Sequence, residues 1–67
     1  MMMTIERTAQ SIRQSLKGEG RVYIRQMFTT DAARVFDARE RRGVLQVKTQ
    51  EGWHEVLIGD ELWAQGD

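Results

Sequence analysis

The fold turns on how one segment is read: Thr29-Thr30-Asp31-Ala32-Ala33-Arg34-Val35-Phe36-Asp37-Ala38-Arg39-Glu40-Arg41-Arg42-Gly43. Thr30 or Asp31 suits an N-cap, where a side-chain oxygen satisfies an unpaired first-turn N–H. Gly43 suits the left-handed stop that ends many helices. Ala32, Val35 and Phe36, with Ala33 and the stem of Arg39, form one side at helical spacing, and Arg34, Asp37, Ala38 and Arg41 face the other way. The spacing predicts a helix over 31–42.

Downstream, Val44–Thr49 and Trp53–Ile58 are rich in strand formers and flank Gln50-Glu51-Gly52. A turn at Glu51-Gly52 sets Thr49 opposite His54, Val47 opposite Val56 and Leu45 opposite Ile58. That register gathers Leu45, Val47, Val56 and Ile58 on one face and sets Lys48 across from Glu55 on the other. Gly59-Asp60 ends the hairpin, Leu62 and Trp63 fold back as a short cap, and 65–67 fray.

Upstream, Ile5, Ala9, Ile12 and Leu16 form the apolar stripe of a helix over 4–17, capped by Thr4 and stopped by Gly18-Glu19-Gly20. Residues 1–3 fray, and any of Met1, Met2 and Met3 can be the start. Residues 21–28 favour a strand, with Val22, Ile24, Gln26 and Phe28 on one face and Arg21, Tyr23, Arg25 and Met27 on the other. The expected fold is α+β: helix-strand-helix-strand-strand, a small three-stranded, mostly antiparallel sheet with two helices on one face. The 67 residues make a single domain with little surface to bury.

The formal net charge of zero hides an asymmetry. Residues 1–43 carry nine basic and five acidic side chains, residues 44–67 one basic and five acidic. Such a dipolar chain can present a binding face. With no cysteine, there is neither a disulfide nor a thiolate metal site. No stretch reaches the roughly 20 apolar residues of a membrane span, and a charge at Glu6 comes too early for a signal peptide. A cytoplasmic protein without membrane contact is expected.

No residues combine into a catalytic centre. His54 is the single histidine and lies mid-hairpin, and no glycine pattern matches a phosphate loop. The expectation is a non-enzymatic protein with no cofactor, no metal and no small-molecule substrate. Two surfaces qualify for binding. The sheet face away from the helices offers Tyr23, Arg25, Met27, Lys48, Trp53, Glu55 and Leu57, and tyrosine, tryptophan and arginine are enriched among interface hot spots. The outward face of the second helix offers Arg34, Ala38 and Arg41, with Arg42 at its edge, toward phosphates or an acidic surface.

The first surface implies a docking module for a protein partner or a second copy. In size and style the chain is similar to phage and mobile-element proteins that block a host complex. The second surface implies nucleic acid. Ala32–Gly43, the following Val44-Leu45 and the 44–58 hairpin resemble the recognition helix and wing of winged-helix DNA-binding proteins. That resemblance implies Arg34, Ala38 and Arg41 in the major groove and Lys48 on a phosphate near the wing.

Overall fold

The computed structural model describes residues 2–18 and 20–66. Along the chain run β1 (Met2–Thr4), α1 (Ala9–Lys17), β2 (Arg21–Arg25), β3 (Ala33–Val35), β4 (Asp37–Arg41), β5 (Val44–Thr49), β6 (Gly52–Glu55) and β7 (Glu61–Gln65). They form two antiparallel sheets, ordered β1-β7-β2-β3 and β4-β5-β6. This overturns the expected α+β arrangement of two helices on a three-stranded sheet, since α1 is the one helix among the described residues.

The expected helix over 31–42 is instead one bent strand. β3 pairs with β2, setting Val35 opposite Val22, and β4 pairs with β5, setting Ala38 opposite Val47. All four side chains are fully buried. Phe36 and Asp37 sit at the bend, where the Phe36 N–H donates to the Lys48 carbonyl at 2.8 Å. The bend shifts the in–out alternation by one residue, so the inward positions Val35 and Ala38 lie three apart. That spacing imitates a helical turn. Gly43 likewise serves a hairpin rather than a helix stop. Arg41 pairs with Val44, and Arg42 and Gly43 between them both have left-handed φ, 54° and 77°. Tight hairpins favour such turns because they match the strand twist.

The β5–β6 hairpin forms, in a register two residues from the expected one. Thr49 pairs with Gly52, Lys48 with Trp53 and Val47 with His54, so the turn is Gln50-Glu51. The Thr49 hydroxyl accepts from the Glu51 N–H at 3.2 Å, fixing that turn. A two-residue shift keeps the same side chains on each face. It removes the Lys48–Glu55 pair, however, and leaves Ile58 beyond the strand.

The first helix is shorter than its apolar stripe suggests. Thr8, not Thr4, is its N-cap, and the Thr8 hydroxyl accepts from the Ser11 N–H at 3.1 Å. Thr4 ends β1, so residues 2–4 are paired with β7 rather than frayed. Of the stripe, Ala9 and Ile12 are buried, with Ile5 and Leu16 packed against the core. Leu62 and Trp63 do not cap the core from outside. They lie in β7, between β1 and β2, with Leu62 turned inward. The core joins Ala9 and Ile12 of α1 to Val22, Ile24, Val35, Ala38, Val47, Leu62 and Ala64 from both sheets. Gln65, expected to fray, ends β7 and pairs with Met2 and Arg21, while Met1, Glu19 and Asp67, on which the expected frayed ends and turn partly fall, lie outside the described residues.

Candidate functional site

Two loops meet at one end of the first sheet. After β2, the chain turns through Gln26-Met27-Phe28-Thr29, and before β7 it turns through Leu57-Ile58-Gly59-Asp60. Asp60 joins them. Its carboxylate is buried and accepts from the Met27 N–H and the Leu57 N–H, both at 2.9 Å. The Asp60 N–H donates to the Leu57 carbonyl at 3.0 Å. Arg7 clamps the same turn from α1's leading segment, donating from Nη1 to the Asp60 carbonyl and from Nη2 to the Leu57 carbonyl, both at 2.7 Å. Met27 lies so close over Gly59 that any Cβ there would collide with its sulfur. Each loop is thereby fixed against the other.

What this scaffold presents is apolar. Phe28 is 96% exposed and Ile58 101%, beside the partly exposed Met27 and Leu57. Phe28 also has φ 70°. That left-handed conformation is unfavourable for a bulky side chain, and such strain persists only where surrounding contacts impose it. Here a local bond contributes: the Thr29 N–H and hydroxyl both donate to the Gln26 carbonyl, at 3.1 and 2.7 Å.

The face expected to hold Tyr23, Arg25, Met27, Lys48, Trp53, Glu55 and Leu57 is divided in three. Tyr23 and Arg25 lie on the outer side of the four-stranded sheet, where Tyr23 stacks on Trp63 with centroids 5.8 Å apart and Arg25 pairs with Glu61. Lys48, Trp53 and Glu55 lie on the outer side of the three-stranded sheet, where the Arg39 guanidinium sits 4.0 Å from the Trp53 ring centroid and its Nε donates to Gln46 Oε1 at 2.7 Å. Met27 and Leu57 alone fall at the loop tip. Phe28 and Ile58 escaped the sequence reading because strict alternation assigned both to the core. Asp60 escaped it as a simple strand end, although an aspartate closing a turn readily bonds nearby backbone N–H groups.

Arg34, Ala38, Arg41 and Arg42 are not brought together. Ala38 is fully buried, Arg34 is on β3, Arg41 ends β4 in the other sheet, and Arg42 is in the hairpin turn. The recognition helix that the winged-helix resemblance required is therefore not formed. His54 is half-buried on the rim of a cleft of about 730 Å³ between the loop after β2 and the β5–β6 turn, with Ile24, Thr49 and Phe36 also in its lining. Among the described residues, no three His, Cys, Asp or Glu side chains gather to hold a metal ion, and no helix is long and apolar enough to cross a membrane. Comparison with protein-family models, curated proteins and solved structures finds no match to this chain.

Proposed function

We propose that the chain is a non-enzymatic docking module of the cytoplasm that inserts the Met27-Phe28/Leu57-Ile58 tip into an apolar groove of a larger protein partner. The single observation supporting this reading is Phe28, an aromatic in a strained left-handed conformation and almost wholly in water. Exposure gives an isolated domain nothing from this ring. Burial in a partner's groove would remove it from water along with Ile58, at about 25 cal/mol per Å² of apolar surface. Because Asp60 and Arg7 already hold the two loops, little conformational freedom remains to be lost on binding.

Quantitative capture from nuclease-treated lysate tests the reading, with tagged wild type run beside Phe28→Ser and Ile58→Ser. Each variant should retain the circular dichroism spectrum and midpoint of unfolding, because neither side chain is in the core. Each should lower the captured partner by about thirtyfold, the loss expected at an anchor residue. A partner held equally by wild type and both variants would move the docking surface elsewhere.

A further inference from the structure

The outer side of the four-stranded sheet carries a second surface, separate from the loop tip. Strand register sets Thr4, Trp63, Tyr23 and Arg34 in one row across it. Tyr23 and Trp63 are half-buried and their rings are 23° from parallel. At the β3 edge the Arg34 guanidinium lies 5.6 Å from the Phe36 ring centroid. Arg21 flanks the row on one side and Arg25 on the other, each two residues from Tyr23 along β2. Of the three arginines on this side of β2 and β3, Arg25 pairs with Glu61, which leaves Arg21 and Arg34 in excess although the whole chain is neutral. Beside Trp63 opens a cleft of about 490 Å³ lined by Thr4, Ile5 and Leu62, by Arg7 and Arg25, and by Asp60 and Glu61, so its charges are balanced and the excess of arginine lies beyond it.

We propose that this face binds single-stranded nucleic acid, with an unpaired base stacked on Trp63 in the cleft and the phosphates following Arg21 and Arg34. Aromatic rings accept any base by its π-face, and arginine forks suit phosphate oxygens. Both elements are needed for this ligand. An acidic peptide would use the arginines and leave the rings unemployed, and a paired duplex could not offer a base face to Trp63. A five-residue strand gives room for about two or three nucleotides. Recognition is thus of a short single-stranded stretch with little base preference.

The test uses the full chain carrying Trp53→Phe, so that Trp63 is the one tryptophan, titrated with labelled oligo-dT and oligo-U of about 12 nucleotides. Trp63 fluorescence should be quenched as oligonucleotide anisotropy rises, with a dissociation constant between about 1 and 100 μM at low salt. The slope of log K against log salt should be about −1.4, for two phosphates met on a single strand. Arg21→Glu with Arg34→Glu should weaken binding at least tenfold and bring the slope close to zero. Arg42→Glu, which alters a charge off this face, should change affinity less than about threefold. Trp63→Leu should weaken binding by about five- to a hundredfold, and the arginine pair keeps the test open if that variant does not fold. Binding weaker than about 100 μM overturns the proposal. So does binding without quenching, an effect of Arg42→Glu equal to that of the arginine pair, or polyglutamate held as tightly as the oligonucleotides.

Discussion

Arg42 and Phe28 are the two described non-glycine residues with positive φ, at 54° and 70°, and their surroundings differ. Arg42 begins a two-residue connection between paired strands, with Gly43 also left-handed. There the conformation follows from closing a twisted hairpin. Phe28 lies within the seven residues, 26–32, that separate β2 from β3. No hairpin register imposes its φ, and the fixed points are the Asp60 carboxylate on Met27 N–H and the Gln26 carbonyl under Thr29. A strained residue that a turn requires is ordinary architecture. One held by a distant buried aspartate, with its ring in water, calls for an external reason, and a partner's groove supplies one.

The largest effect on this contrast should come from Asp60→Ala. It deletes the acceptor of two N–H groups in two loops. Stability should fall by about 3–6 kcal/mol, since two hydrogen bonds to a charged group are lost and each is worth about 1.5–3 kcal/mol. Chemical denaturation measures this, and partner capture should disappear with it. Asp60→Asn retains one acceptor oxygen and should lose less of both. If Asp60→Ala left capture intact, the two loops would not act as one tip. On the other side of the contrast, Gly43→Ala puts a Cβ at φ 77° in open space, so strain is its main consequence. It should cost about 1–2 kcal/mol. For a domain of this size that lowers the unfolding midpoint by about 4–8 °C per kcal/mol, with capture unchanged.

The same contrast separates what was legible in the sequence from what was not. Strand β2 and the β5–β6 hairpin were legible because alternation and strand propensity agree along Arg21–Arg25, Val44–Thr49 and Trp53–Glu55. The packed stripe of α1 was legible from the helical spacing of Ile5, Ala9, Ile12 and Leu16, though Thr8 won the cap over Thr4. The segment 31–42 was not. Its caps and its Val35–Ala38 spacing satisfy a helix, and only pairing with β2 and β5, distant in sequence, decides for a bent strand. Met27 and Leu57 were recognised as surface residues, but Phe28 and Ile58 were assigned inward. Alternation carries no information past the residue where a strand stops, and those stops depend on Asp60 accepting from both loops. Trp63 belongs to the same class: its place in β7 is set by β1 on one side and β2 on the other.

The smallest effects sharpen the contrast most. Phe28→Gly relieves about 1–2 kcal/mol of left-handed strain and gives back roughly 0.5–1 kcal/mol through a freer unfolded chain. With the ring already in water, little packing is lost. Stability should therefore stay level or rise by up to about 1 kcal/mol. Arg42→Gly is subject to the same two opposing terms at its φ of 54° and should behave alike in denaturation. The two variants should then part in one assay alone, with partner capture lost in Phe28→Gly and kept in Arg42→Gly. A Phe28→Gly chain destabilised by about 2 kcal/mol or more would show the ring to be a structural contact in solution. The strain at Phe28 would then be a consequence of folding, as at Arg42, and the case for a docking tip would fall.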